Sequence, residues 1–169
     1  KLVLSWSMDK YFMASVMEIL SEGYPYQLVL PALYSASVND QPEAVLTSAA
    51  KAYFDYYDQN SDITKRAATI SLIRMQAVEQ LAATCQPILS AHGHNLSSSI
   101  LQGVQYFERQ HYPSWIYDLH AYLSSLASPS ELAQVDDAVS ACIVYKAHTA
   151  TLPYSNTVIN DFSGFGCYI

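Results

Sequence analysis

The sequence predicts an α/β fold. Residues 10–16 (KYFMASV) place apolar side chains on both faces of an extended segment, a pattern typical of a strand buried on both sides. Segments with helical periodicity follow, and short strand-like segments return at the end of the chain. Half of the residues are hydrophobic, 51%, so a chain of this length has enough apolar surface for one sizeable core. We therefore expect residues 1–169 to form a single domain.

Two helices are predicted in the first half of the chain. Residues 42–58 begin with a proline at the first turn, which favours a helix start, and carry an apolar stripe of Val45, Ala49, Tyr53 and Tyr57. Residues 75–90 also have helical periodicity, and their predicted inward face is Val78, Leu81, Ala82, Cys85 and Leu89.

The sequence SPSE, residues 128–131, has the form of a capping box with proline at the first helical position. It predicts a helix whose buried face is Leu132, Val135, Val139, Cys142 and Ile143, and His148 is expected near the end of that helix. Weaker patterns predict further elements: short helices over 26–34, 100–107 and 115–126, and strands over 68–73, 157–162 and 166–169.

Strands of central character stand close to both ends of the sequence. Residues 10–16 come almost at once, and the last six residues, GFGCYI, stop inside an apolar run. A central strand exposes unpaired hydrogen-bonding groups unless another strand lies beside it. We therefore expect additional chain, or a second chain, to complete the sheet.

Composition and charge exclude several classes of function. Only 14% of residues are charged and the net charge is −7, with the eight lysines and arginines scattered, so neither disorder nor nucleic-acid binding is expected. No apolar run is long enough to span a bilayer. The first ten residues lack a small-residue cleavage site and are not interpreted as a signal peptide.

The cysteines and histidines form no complete catalytic or metal-binding set. Cys85 and Cys142 lie in apolar helical patterns, where a small buried side chain is expected, and Cys167 follows a glycine-rich turn. His92 and His94 are spaced like a metal pair but have no nearby acid or thiol, which favours a solvated loop. His120 beside Asp118 is expected to be a surface or helix-packing residue, and His148 to interact with a helix dipole.

Several stretches in order resemble clostripain-like cysteine endopeptidases, peptidase family C11. They are YFMASVMEILSEGYPYQLVLPAL, YDQNSDITKRAATISLI, WIYDLHAYLSSLA, VDDAVSACIVYKAHT and INDFSGFGCYI, which together cover nearly the whole chain. The resemblance is to the C-terminal half of the peptidase domain. It implies part of a caspase-like α/β/α sandwich with a mostly parallel sheet and a helical C-terminal region.

The resemblance also implies that this chain lacks the catalytic dyad. In the family the nucleophilic cysteine stands before the YxxAS strand and the histidine lies further upstream. That strand starts at Tyr11 here, so both residues would precede Lys1, on an upstream half of the peptidase or on a cleaved partner chain. The resemblance further implies an extracellular or cell-envelope bacterial protein, without a cofactor although calcium dependence occurs in the family; no EF-hand spacing is present.

Candidate substrate-binding residues follow the first predicted strand. The family cleaves after Arg or Lys, which requires an acid in the primary specificity pocket. Glu22, next to Gly23, falls where the family tends to place such an acid, Glu18 is the competing carboxylate, and Ser15 and Met17 would line the same cleft. The alternative for either glutamate is a solvated side chain in a surface loop.

Three hypotheses about function therefore remain open. The first is the substrate-pocket half of a cysteine endopeptidase that acts on peptides or proteins with a basic P1 residue. The second is a catalytically inactive caspase-like module used for binding or scaffolding, for which the 14 tyrosines would suit a contact surface. The third is hydrolysis by this chain itself, through Cys167 and a histidine.

Overall fold

The structure is a computed structural model that describes residues 2–5, 42–93, 98–107, 114–153 and 156–169. The strands are β1 (Leu2–Ser5), β2 (Thr69–Arg74), β3 (Ile116–Asp118), β4 (Ile143–His148), β5 (Thr151–Leu152), β6 (Thr157–Val158) and β7 (Gly166–Tyr168). The helices are α1 (Pro42–Asp58), α2 (Met75–His92), α3 (Ser98–Leu101), α4 (Leu119–Ser124) and α5 (Pro129–Cys142), and a 3₁₀ turn spans Ile63–Lys65.

Strand β2 is the middle strand of a sheet with the order β1-β2-β4. Val3 pairs with Ile73 on one side, and Ser71 pairs with Lys146 on the other. The four central residues of β2 are buried, as expected for a strand with neighbours on both edges and a layer on each face. This result confirms the α/β fold class, and it confirms the strand predicted over 68–73 to within one residue.

The mostly parallel sheet expected for this fold is not found among the described strands. All of their pairings are antiparallel. The connection from β2 to β4 runs through α2, α3, β3, α4 and α5 rather than through a single crossover helix. It therefore does not impose the parallel direction of a βαβ unit on these two strands. The resemblance implied the parallel sheet, and the strand predicted over residues 10–16 lies outside the described residues.

The core lies between the sheet and the pair α2 and α5. It is formed by buried residues from β2 and three helices: Ile73, Leu81, Cys85, Ile88, Leu123, Val135, Ala138, Val139 and Cys142. Most of the predicted inward residues are buried or partly buried here, but Ala82 is exposed. Ile88 is buried instead, because the contact with α5 falls on a stripe slightly rotated from the predicted one.

Helix α1 packs on β2 and β4. Ile70 and Leu72 are buried but lie on the opposite face of β2 from Ile73, because successive side chains of a strand alternate. They therefore face the side covered by α1, whose Ala49 and Ala50 are buried. The boundaries of α1 agree with the prediction from its sequence.

Two predicted helices are wrong. Residues 115–126 begin with strand β3, and the helix starts only at Leu119. Residues 100–107 continue as a helix only to Leu101, after which Tyr106 forms a β-bridge with Tyr117. In both places pairing with a distant strand determines the backbone conformation, and a helical pattern over a few residues does not reveal that pairing.

The end of the chain forms short strands. Residues 143–148, expected to continue the preceding helix, are strand β4, and β5 and β6 form a two-stranded hairpin. The strand predicted over 157–162 is limited to Thr157–Val158. Strand β7 pairs with β3 through Tyr117 and Cys167. In the described residues, no helix combines the length and apolar character needed to cross a membrane.

Candidate functional site

The four candidate substrate-binding residues, Glu22, Glu18, Ser15 and Met17, lie outside the described residues. Their roles remain predictions. The polar interactions that join the described elements, here called the framework, can be followed residue by residue.

A buried carboxylate, Asp118, is the centre of the framework. Asp118 is the last residue of β3 and caps α4, where its Oδ1 accepts a hydrogen bond from Ala121 N at 3.0 Å. Its Oδ2 accepts bonds from Ser163 N at 2.7 Å and Ser163 Oγ at 2.9 Å. The side chain is fully buried, so these three donors compensate for the water lost on burial. The geometry is that of a structural anchor, because both oxygens are already engaged.

Residues 159–165, here called the anchored segment, are held by side chains from several elements. Gln105 Oε1 accepts from Asn160 N at 2.9 Å, and Ser71 Oγ donates to Gly164 O at 2.7 Å. Lys146 Nζ donates to Phe162 O at 2.6 Å. Backbone groups that would otherwise need a strand partner are satisfied in this way without regular secondary structure.

Gly164 is required where the anchored segment approaches β2 and β4. Its φ is +93°, a region that residues with a Cβ rarely adopt. A Cβ at this position would lie 2.7 Å from Ile143 Cδ1 and 3.3 Å from Ser71 Cβ. The glycine therefore permits both the turn and the close packing on the sheet.

Aromatic contacts complete the attachment of the anchored segment. The ring of Phe162 lies edge-on to Phe107 at a centroid distance of 5.9 Å and at 5.4 Å from His148. His148 ends β4 rather than a helix, which corrects the predicted helix-dipole role. Its Nδ1 lies 3.0 Å from Thr149 O. A carbonyl only accepts, so Nδ1 carries the proton in this contact.

The thiols of this chain are unsuited to nucleophilic catalysis. Cys85 and Cys142 are buried, as expected, and burial raises the pKa of both. Burial, together with the charge of Asp118, raises the pKa of Cys167 to about 12. The Cys167 thiol lies 3.6 Å from Tyr117 O as a donor. Because the thiolate is the nucleophile, the burial and the raised pKa of Cys167 give no support to the hypothesis of hydrolysis through this residue.

The histidines form no metal site among the described residues, where no group of three or more potential ligands occurs. His92 is exposed at the end of α2, and His94 lies outside the described residues. His120 connects α4 to α5, as the helix-packing interpretation expected: its Nε2 lies 2.7 Å from Asp136 Oδ1, an ion pair when the imidazole is protonated. The two atoms are close but not aligned as a hydrogen bond.

The sequence indicated the helix-capping role of Asp118 but not the hydrogen bonds to distant residues. An aspartate before the apolar run at 119–123 is a helix start signal, although residues 115–126 were assigned to one helix. Ser163 and Gln105 had no local signal, because their partners are distant in the chain.

The chain is similar to solved structures of C11 proteases. One is an inactive zymogen from Parabacteroides distasonis, with 24% identity, a TM-score of 0.64, and coverage of 76% of this chain and 38% of that one. A cysteine protease of B. fragilis has 24% identity and a TM-score of 0.68, with coverage of 86% and 62%. A clostripain from Bacteroides thetaiotaomicron in complex with the peptide inhibitor BTN-VLTK-AOMK has 18% identity and a TM-score of 0.61, with coverage of 71% and 53%.

These similarities confirm the resemblance predicted from the sequence motifs, at the level of the fold. The chain spans less than two thirds of the length of each of these proteins, between 38% and 62%. No family model matches the sequence, and no curated protein matches it.

Proposed function

We propose that the chain is the substrate-pocket half of a cysteine endopeptidase that cleaves after Arg or Lys. The observation that carries this proposal is the shared fold with the B. fragilis cysteine protease over 86% of the chain. The ordered motifs that resemble the C11 family support it independently.

The basic specificity rests on Glu22. A carboxylate at the base of a pocket accepts two parallel hydrogen bonds from a guanidinium or binds an ammonium, and exclusion of water strengthens either contact. The peptide inhibitor in the clostripain complex, BTN-VLTK-AOMK, has lysine as the last residue of its peptide. This supports an acidic pocket in our chain, with Glu18 as the competing acid and Ser15 and Met17 beside it.

The nucleophilic cysteine and the histidine belong, in this proposal, to sequence upstream of Lys1. Burial raises the pKa of the Cys85, Cys142 and Cys167 thiols, which supports this assignment. The thiolate would attack the scissile carbonyl, and the histidine would protonate the leaving amine.

Substitution of Glu22 in the protein that carries the upstream sequence tests the proposal. The assay compares fluorogenic peptides with Arg, Lys or norleucine at P1. We expect Glu22→Gln to lower kcat/KM for Arg and Lys by about a hundredfold or more while norleucine turnover changes little. Glu18→Gln is the matched control. Equal effects on all three peptides would contradict the pocket assignment, and a loss confined to Glu18→Gln would transfer the role to Glu18.

An inactive binding module is the second candidate, favoured by the absence of an activated thiol among the three cysteines of this chain. N-terminal sequencing and intact-mass measurement of the native protein, with anything that copurifies, separate the two candidates. Upstream sequence with a cysteine and a histidine supports the peptidase, and a native chain without them supports the module.

One C11 protease of similar fold from Bacteroides thetaiotaomicron is described as secreted, and we propose an extracellular or cell-envelope location for this protein. Any calcium requirement inherited from the family would appear as a loss of cleavage in EGTA that calcium restores.

A further inference from the structure

We propose that the outer edge of strand β7 pairs with the same edge of a second copy of the protein, so that two short sheets join across a twofold axis. Among the residues that the structure describes, β3 is the one strand that pairs with β7. The opposite edge of β7 therefore has no strand beside it in the described part of the chain.

Two residues of β7 direct their backbone groups away from β3. Ile169 N, just after the strand, donates to Trp115 O at 3.0 Å. Successive backbone groups of a strand point to opposite edges, so the residues at odd positions face β3 and those at even positions face outward. The N–H and C=O groups of Gly166 and Tyr168 therefore lie on the outer edge, where they match the hydrogen-bonding pattern of a further strand.

This edge, as the structure describes it, lacks the features that usually prevent edge pairing. Residues 162–169 contain no charged residue and no proline, and β7 pairs with β3 without a register shift. Charged side chains, prolines and bulges are the common means of blocking a strand edge. Tyr168 is instead 76% exposed, and its ring lies edge-on to Trp115 at a centroid distance of 6.3 Å.

Pairing with an identical edge is self-complementary in shape. A twofold axis at Cys167 places Tyr168 of one copy opposite Gly166 of the other, and the same contact occurs twice. Gly166 is exposed and has no side chain, so the tyrosine ring can lie over the glycine backbone without a competing side chain. In this register each pair of Gly166 and Tyr168 exchanges two N–H···O bonds.

Charge also favours this edge as the contact between two copies. The protein has a net charge of −7, so two copies repel each other where acidic surfaces meet. Like charges that face each other across a strand pair are destabilising. Because residues 162–169 are uncharged, pairing through β7 brings no such charges together.

The edge is held in place before a partner arrives. Asp118, at the end of β3, accepts two hydrogen bonds from Ser163, shortly before β7. On the inner face of this sheet Tyr117 is buried, and Cys167 packs against the same apolar cluster. A strand that is already ordered loses little conformational entropy on association, which favours pairing.

Sedimentation velocity of the native protein over a range of concentrations tests the proposal. We expect the mass to rise from that of a monomer to that of a dimer. Tyr168→Lys should weaken association about tenfold or more, because it replaces both ring contacts across the axis with like charges. Val158→Lys is the matched control: Val158 is also an exposed apolar residue, 53%, in a short strand, and this variant should associate like the wild type. Circular dichroism should show that both variants are folded.

A mixture of Tyr168→Lys and Tyr168→Glu tests the register. The two copies of position 168 lie diagonally across the axis, about 7–8 Å apart, so opposite charges should restore association above that of either variant alone. A native protein that stays monomeric at all concentrations would overturn the proposal, as would equal effects of Tyr168→Lys and Val158→Lys. Failure of the mixture to recover would overturn the twofold register. Association is measured without cleavage, so its failure is distinct from a failure of the proposed peptidase function.

Discussion

Asp118 and Ser163 are 45 positions apart in the sequence, yet both the backbone N and the Oγ of Ser163 donate to Asp118 Oδ2, at 2.7 and 2.9 Å. The contact joins the end of β3 to the anchored segment. It is buried, so loss of either partner leaves polar groups without water.

Removal of the Asp118 carboxylate should be among the most destabilising single changes in the chain. Asp118→Ala leaves three donors unpaired and removes a helix cap, and we expect a loss of about 3 kcal/mol or more from the free energy of unfolding in urea. The exposed Asp137 on α5 is the control: Asp137→Ala should change stability by about 0.5 kcal/mol or less. Similar effects for the two variants would contradict the anchor.

Gly164→Ala should destabilise the fold by about 1–3 kcal/mol, because alanine resists the φ of +93° and its Cβ would meet Ile143 Cδ1. Gly103→Ala provides a matched comparison, since nothing lies within 4 Å of a Cβ there. That variant should be neutral or slightly stabilised in thermal denaturation. A neutral Gly164→Ala would show that this turn adapts.

The capping box of α5 should contribute measurably and with a defined pH dependence. Ser128→Ala removes the cap that bonds to Glu131 and should cost about 1 kcal/mol in urea unfolding at pH 7. Ser140→Ala, at an exposed position of the same helix, should cost nothing because alanine favours the helix.

The pH dependence follows from Glu131. Hydrogen bonds from the Ser128 side chain and backbone lower the pKa of Glu131 below its ordinary value of 4.5. A lowered pKa in the folded state contributes stability above pH 4.5, and that contribution disappears as the pH falls through the folded value. The stability difference between wild type and Ser128→Ala should therefore shrink between pH 5 and pH 3. A difference that stays constant over this range would contradict the carboxylate's part in the cap.

Native Cys167 should react slowly with iodoacetamide. Its pKa of about 12 means that the rate should keep rising with pH through pH 10 without a plateau, since only the thiolate reacts. In urea the thiol should react at the rate of an ordinary cysteine. A plateau near pH 8 in the native protein would indicate an activated thiol and would support the hypothesis of hydrolysis through Cys167.

Signals that act over a few residues predicted the helices whose boundaries depend on neighbouring residues. The boundaries of α1 and the capping box at Ser128 were foreseen because proline, caps and a helical stripe act within a few residues. Strands β3 and β4 were missed because their conformation depends on partners far along the chain, such as Tyr117 with Cys167 and Ser71 with Lys146. The anchor at Asp118 depends on the same kind of distant partner.

The ribosome releases the chain from its N-terminus, so the anchored segment becomes available only after most of its partners. Ser71 and Gly164 are 93 positions apart, and Asn160 bonds to Gln105 across 55 positions. Strand β2, helix α4 and the core helices emerge long before their partners in 159–165. During synthesis Asp118 therefore remains solvated until Ser163 is available. Strand β3 forms its native pairing only when β7, near the end of the sequence, has been released. A nascent chain arrested before Ser163 would lack the two hydrogen bonds from this residue to Asp118 and the packing of Phe165 against the core.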